Sequence, residues 1–212
     1  MEPLSLEVTG LRHRHAGAAR DTPAELSFRL LPGEKGLLLG ANGAGKSTLL
    51  ARLVGLLDGP GEVAIGGTPL SQRTLRTIRR GTGLLWQRPD DGLLLPTVRE
   101  DVALGPANDG LAAQSQAIAD RWLGRLGIAH LAARRIRELS LGERQIVALA
   151  GVLARDPGLL LLDEPIAALD AAARRRVLAT LSVHPATMLV ATHEPELWLG
   201  SAGAWRAVAE LA

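Results

Sequence analysis

The chain has 212 residues, 24 basic against 22 acidic side chains for a formal charge of +2, and 47% hydrophobic residues. That length and apolar content suit one well-cored α/β domain and exclude disorder, while the near-balanced charge argues against a nucleic-acid surface. Cysteine is absent, which removes disulfides and thiolate metal sites.

Met1-Glu2-Pro3-Leu4-Ser5-Leu6-Glu7 carries acids where a secretory signal needs a basic end and an apolar run. No apolar stretch approaches the ~18 residues of a membrane span. The expectation is a soluble, cytoplasmic chain whose work at a membrane passes through a partner. Leu4–Val8 and Glu25–Leu30 alternate as strands do, and Gly36–Leu39 reads as a short buried strand. That strand runs into Gly40-Ala41-Asn42-Gly43-Ala44-Gly45-Lys46-Ser47, which fits G-x-x-x-x-G-K-[ST]. Its glycines let successive backbone N–H groups turn inward onto phosphate oxygens. Lys46 supplies charge for β- and γ-phosphates, and the Ser47 hydroxyl suits Mg²⁺. Ser47–Leu53, with Thr48 in its first turn, opens an amphipathic helix whose positive end faces the same phosphates. Lys35 and Lys46 are the only lysines in an arginine-rich chain, so Lys46 is not background.

After the Asp58–Gly61 turn, Glu62–Ile65 predicts another strand, completing an antiparallel layer around the loop. Helix is predicted from about Arg99 to Ala154, interrupted at Gly105-Pro106 and at Ser140-Leu141-Gly142. Leu159–Leu162 and Met188–Ala191 are continuous apolar runs of the kind buried on both faces of a parallel sheet. Ligands on such sheets bind beyond the carboxyl ends of the strands, where Asp163 and Glu164 stand. Adjacent strand residues point opposite ways, so Asp163 is expected in the Mg²⁺ shell and Glu164 beside the attacking water.

Leu162-Asp163-Glu164-Pro165-Ile166-Ala167-Ala168-Leu169-Asp170 resembles the Walker B and D-loop of ATP-binding cassette (ABC) ATPases. Leu139-Ser140-Leu141-Gly142-Glu143-Arg144-Gln145 resembles their signature motif, His193 in Ala191-Thr192-His193-Glu194 their switch histidine, and Gln87 their Q-loop glutamine. These motifs stand in family order across nearly the whole chain. The resemblance implies a P-loop NTPase fold with a mostly parallel core sheet, an N-terminal antiparallel β layer and a helical subdomain. One domain, 1–212, would carry that subdomain at about 92–154.

It further implies ATP and Mg²⁺ as cofactors, with Lys46, Glu164 and His193 catalytic and Ser47, Gln87 and Asp163 around the metal. Two chains, identical or paralogous, would sandwich two nucleotides, with Leu139, Ser140, Leu141, Gly142 and Glu143 reaching the partner's ATP and Ala168, Leu169 and Asp170 forming the D-loop. Leu141, Glu143 and Ile166 depart from common family residues, whereas Ser140, Gly142 and Glu164 keep the motifs, so an active site is expected. With no tyrosine in the chain, His15 is the expected substitute for the aromatic that stacks on adenine.

Trp86-Gln87-Arg88-Pro89-Asp90-Asp91 through Asp101-Val102-Ala103-Leu104-Gly105-Pro106 resembles the ATPases of energy-coupling-factor importers and the similar cobalt and nickel importers. In that group this region faces the coupling helices of a transmembrane subunit, which works with a substrate-binding membrane subunit. The expected function is ATP-driven uptake of a transition metal ion (cobalt or nickel) or a vitamin from the inner face of the membrane; the alternatives are another ABC transporter branch (export or lipid-linked) and, after it, a soluble non-transport ABC ATPase. Asp90 and Asp91 are expected either to receive arginines from those helices or to cap the following helix. Arg174-Arg175-Arg176 reads as a solvated face, and Trp122, Trp198 and Trp205 as packing. The short stretch after His193 leaves little room for a dimerisation extension, so ATP and the membrane partner are expected to drive pairing.

Overall fold

The structure is a computed structural model that describes residues 1–12 and 25–211. His15, the residue expected to stack on adenine, lies outside the described residues. The chain divides into two compact units. The first comprises Met1–Leu84, Pro157–Glu164 and Pro185–Ala212; the second comprises Leu85–Asp156 and Pro165–His184.

Two sheets make up the first unit. One is antiparallel, ordered β2-β1-β4-β5, from β1 (Leu6–Leu11), β2 (Leu26–Leu30), β4 (Glu62–Ile65) and β5 (Thr68–Pro69). β1 sits in the middle, with Leu6 opposite Leu30 on one side and Ile65 on the other. The alternation at Leu4–Val8 predicts a strand starting two residues too early. The Leu4 N–H instead donates to the Gly158 carbonyl at 3.0 Å, so the chain is tied down before the ladder begins.

The second sheet has the order β6-β7-β8-β3-β9, from β3 (Lys35–Gly40), β6 (Thr82–Leu85), β7 (Leu159–Asp163), β8 (Thr187–Thr192) and β9 (Trp205–Leu211). β3 pairs in parallel with β8 and β9, and β8 with β7. Every residue of β7 and β8 is buried, which is why both read as unbroken apolar runs. Helix α1 (Lys46–Leu53) contributes Leu49, Leu50 and Leu53 to the core cluster that also holds Leu6, Leu38 and Leu161. Helix α2 (Leu75–Gly81) leads into β6. Trp198 and Trp205 are buried and meet edge to face at 4.7 Å between centroids, a favoured aromatic geometry.

The second unit is helical: α3 (Val98–Pro106), α4 (Ser115–Arg125), α5 (Leu141–Ala154) and α6 (Ala171–Ser182). α3 starts at a capping box in which the Thr97 and Glu100 side chains serve each other's backbone. Neither Asp90 nor Asp91 caps this helix; they sit in a separate turn, Pro89–Asp91. The expected continuous helix between Gly105-Pro106 and Ser140 is also broken. Gly127 takes φ 73° just past the end of α4, and short turns carry the chain to Ser140. Of the three consecutive arginines, Arg176 is not merely solvated: its guanidinium lies over Gly127 and donates to the Leu126 carbonyl at 3.4 Å. No described helix is long and apolar enough to cross a membrane.

Leu161 is fully buried on β7, an inner strand flanked by β6 and β8. Leu161→Ala is expected to cost about 3 kcal/mol of unfolding free energy, the range for a buried leucine whose cavity cannot collapse. Urea unfolding followed by circular dichroism measures this.

Candidate active site

The sheet order places the ends of β7, β8 and β3 side by side, and each delivers one part of a site. From β3 the chain enters the Gly40–Ser47 loop. Gly40 has φ 155° and Gly45 φ 92°, conformations in which a β-carbon is strained. A Cβ on Gly40 would also stand 2.8 Å from the Leu211 carbonyl oxygen. Ala41, Asn42 and Gly43 are exposed, with Ala44 and Gly45 half-buried, so the loop backbone is open to solvent. Ser47 and Thr48 follow in the first turn of α1, where N–H groups lack partners within the helix. These N–H groups and the helix dipole suit a phosphate.

Lys46, buried to 6% exposure, folds back over the loop. Its Nζ donates to the carbonyls of Gly40 at 2.7 Å and Ala41 at 3.1 Å, and lies 3.3 Å from Glu164 Oε1. From the end of β8, His193 brings Nδ1 to 2.7 Å of the same Oε1. The carboxylate is thus gripped by an ammonium at the start of α1 and an imidazole just past β8. Glu164 is 3% exposed, and its backbone adopts φ 47°. For a residue with a β-carbon, left-handed geometry costs of order 1–3 kcal/mol. It persists because the Glu164 N–H is latched to the Ala191 carbonyl of β8 at 3.0 Å.

Asp163 precedes it, 1% exposed. Burial pushes its carboxyl up from the usual range, and the charge of Glu164 adds to the rise; the Ser47 hydroxyl and Lys46 act the other way. Neither carboxylate oxygen has an aligned hydrogen bond among the described residues. A buried, unsatisfied carboxylate beside a serine hydroxyl is a hard oxygen donor set of the sort Mg²⁺ takes, with waters and phosphates as remaining ligands. The residues therefore fit the metal.

In the second unit, Ser140 begins α5. Its hydroxyl accepts from the Glu143 N–H at 3.3 Å, and Glu143 reaches back to the Ser140 N–H at 2.7 Å. Those contacts hold the Glu143 carboxyl below its usual range. Leu139 is buried, whereas Leu141 is 52% exposed. A Cβ on Gly142 would lie 2.7 Å from the Ala168 carbonyl oxygen, so this glycine lets the α5 start and the Ala168-Leu169-Asp170 loop approach. Asp170 caps α6, accepting from the Ala172 and Ala173 N–H groups at 2.9 and 2.8 Å, which hold its carboxyl below the usual range. Gln87 is exposed, in the same unit as Ser140.

Three features are invisible to motif reading. Gln145 is 1% exposed, and its amide atoms have no hydrogen-bond partner among the described residues. Asp101, buried near the start of α3, accepts from the Leu94 and Leu95 N–H groups at 2.6 and 2.8 Å. Arg144 meets Asp90, Nε to Oδ1 at 3.2 Å. Only the Arg144–Asp90 contact joins residues too far apart for a local pattern to signal.

The upward shift of the Asp163 carboxyl makes its contribution to stability depend on pH. A carboxyl that titrates higher in the folded than in the unfolded state destabilises the fold above its folded value, and the penalty fades as pH falls through it. Asp163→Asn is therefore expected to raise Tm by a few degrees at pH near 8 in the absence of nucleotide, with the gain shrinking toward acid pH, while Mg²⁺-dependent hydrolysis is lost. Thermal melts across pH and a phosphate-release assay check both.

Residues 24–167 match the family described as ABC transporter. A Streptomyces avermitilis protein named as an ABC transporter ATP-binding protein is 44% identical over 192 residues, covering 90% of this chain and 73% of its own length. One from Gloeobacter violaceus, with the same designation, is 48% identical over 178 residues, 82% of this chain and 73% of that protein. Among solved structures, cbiO1 from Clostridium perfringens, part of the ABC transporter complex cbiONQ, is similar at TM-score 0.76 and 30% identity. That likeness covers 91% of this chain and 79% of that one. A dimeric bacterial ABC transporter cassette shares the fold at TM-score 0.83 and 24% identity, over 97% and 96% of the two chains. The antiparallel sheet, parallel core sheet and helical unit are those of an ABC nucleotide-binding domain. This chain belongs to the ABC transporter family and is a transporter ATPase, hydrolysing ATP in a reaction coupled to transport.

Proposed function

We propose that the chain is the ATP-hydrolysing subunit of an energy-coupling-factor-type importer, driving uptake of a transition metal ion (cobalt or nickel) or a vitamin through separate membrane subunits. The observation that carries this reading is the Gln87–Pro106 segment, whose sequence resembles that group and whose exposed side chains suit a docking role. Asp101 fixes the Leu94–Leu95 backbone, leaving Leu94 73% exposed. Asp91, exposed in the preceding turn, has no hydrogen bond or ion pair to its carboxylate among the described residues. An apolar knob near a carboxylate suits a cytoplasmic helix of a membrane subunit that carries leucines and an arginine. Likeness to cbiO1, itself part of a multi-subunit transporter complex, supports the same branch. Asp90 already has Arg144, so Asp91 is the better receiver of the partner's arginine. The chain works as a peripheral protein on the inner membrane face.

In the reaction, the Gly40–Ser47 backbone and Lys46 hold the β- and γ-phosphates. Ser47 and Asp163 would hold Mg²⁺, which would neutralise charge on the phosphates; the family resemblance alone assigns Gln87 to the same ion. Glu164 orients and accepts a proton from the attacking water, and His193 fixes the carboxylate through Nδ1. Ser140 and Gly142, at the positive end of α5, reach the γ-phosphate on a second subunit, identical or paralogous. ATP is then ligand and adhesive together, and losing its γ-phosphate opens the pair.

Glu164→Gln is expected to keep ATP binding and lower turnover about 10²–10⁴-fold, read by steady-state phosphate release beside equilibrium nucleotide binding. Near-normal hydrolysis would remove Glu164 from its role. Co-expression with membrane proteins encoded beside it tests the importer branch: co-purification with separate membrane subunits, and cobalt, nickel or vitamin uptake abolished by Glu164→Gln, are expected. Exclusive association with an export permease would overturn the reading. Asp91→Ala is expected to weaken that co-purification while leaving hydrolysis by the isolated chain unchanged; undiminished complex formation would sink the arginine pairing.

A further inference from the structure

One guanidinium joins two pieces of the second unit that the chain holds more than fifty residues apart. Arg144 stands in the first turn of α5, four residues after Ser140. Its Nη1 donates to the Leu139 carbonyl at 3.2 Å, gripping the main chain immediately before Ser140. Its Nε lies 3.2 Å from Asp90 Oδ1. Asp90 is three residues beyond Gln87, inside the Pro89–Asp91 turn, whose proline is buried and whose Asp91 N–H bonds back to the Arg88 carbonyl at 3.2 Å.

We propose that Arg144 and Asp90 are a positioning pair that holds the Ser140–Gly142 loop in register with the Gln87 segment, so that both reach productive positions together when ATP joins two subunits. The proposal rests on the ATP-sandwich reading above. Several features favour positioning over simple stabilisation. The side chains are 24% and 55% exposed, a setting in which an ion pair is screened and adds little to folding free energy. Nε faces Asp90 as a charge contact without an aligned hydrogen bond, while the planar guanidinium ties that contact rigidly to Nη1 at Leu139. The turn around Asp90 is held by Pro89 and its own hydrogen bond, so a displacement at Gln87 is passed on rather than absorbed. The other end of the fork is on Leu139, whose side chain is buried and whose carbonyl adjoins the signature serine.

At its Ser140 end the lever acts on the second subunit's nucleotide, whereas the chain's own nucleotide is gripped chiefly by Lys46 and Ser47. That separation defines the test. The full chain, without membrane subunits, is prepared unmodified and as Asp90→Asn, Arg144→Gln and the double variant. ATP-driven dimerisation is scored in a Glu164→Gln background; kcat, KM, ADP affinity and Tm are measured with Glu164 intact. Each single change is expected to lower kcat and the apparent dimer association about tenfold, within the usual range of coupling between sites. ADP affinity and Tm should hold steady, and the double variant should be no worse than the worse single one. Asp90→Asn with unmodified kcat and dimerisation overturns the pair, as do additive losses or a parallel fall in ADP affinity and Tm. If the unmodified chain does not dimerise with ATP at all, the sandwich reading and the pair fall together. If it dimerises normally and Asp90→Asn is silent, the pair alone falls.

Discussion

A single carboxylate oxygen, Oε1 of Glu164, is where the parallel sheet acquires chemistry. Lys46 reaches it at 3.3 Å from the loop after β3, and His193 at 2.7 Å from the end of β8. Glu164 itself leaves β7 in a left-handed conformation that its neighbours must sustain. These three strands are adjacent only because the sheet is ordered β7-β8-β3, out of sequence. Any slip of register among them would separate the three groups, so the apolar packing of β7 and β8 is a requirement of the site and not just of the fold. Parallel sheets place their functional groups at carboxyl ends for this reason.

The second unit works by different means. Its site residues are held less by burial than by reciprocal capping: Ser140 with Glu143, Asp170 with the α6 N-terminus, Thr97 with Glu100. Such contacts fix direction at modest energetic cost and leave the groups near solvent. A loop proposed to reach another subunit's nucleotide benefits from that combination. The close approach of Gly142 to Ala168 shows the same economy, because one absent β-carbon lets two loops share a surface.

Most of this was legible in the sequence where chemistry is written locally. Gly40–Ser47 announces its own fold, since few other residues tolerate those dihedrals next to a lysine. The runs Leu159–Leu162 and Met188–Ala191 announce buried strands by lacking any polar break. β9 escaped notice because Trp205–Leu211 mixes alanines with charged residues, and only pairing with β3 makes it a strand. The helical stretch was overextended because Leu126–Ser140 carries helix-prone alanines and arginines, while Gly127 and the turns that follow override them. Asp90 was assigned outward or to a cap because nothing nearby in sequence hints at Arg144. The grip of Lys46 on Glu164 was hidden likewise: both residues were named, but their meeting depends on strand order.

The tryptophans have an optical consequence. The chain holds four of them and no tyrosine, so its ultraviolet emission comes from indole alone. Trp198 and Trp205 sit edge to face in the first unit, on α7 (Pro195–Leu199) and β9, close in sequence to His193. Trp86 adjoins Gln87 and Trp122 stacks near Arg125, both in the second unit. Each unit thus carries its own pair of native fluorophores, one pair downstream of the histidine and one indole abutting the glutamine. Nucleotide-linked changes in either place can be followed by emission from the unlabelled protein.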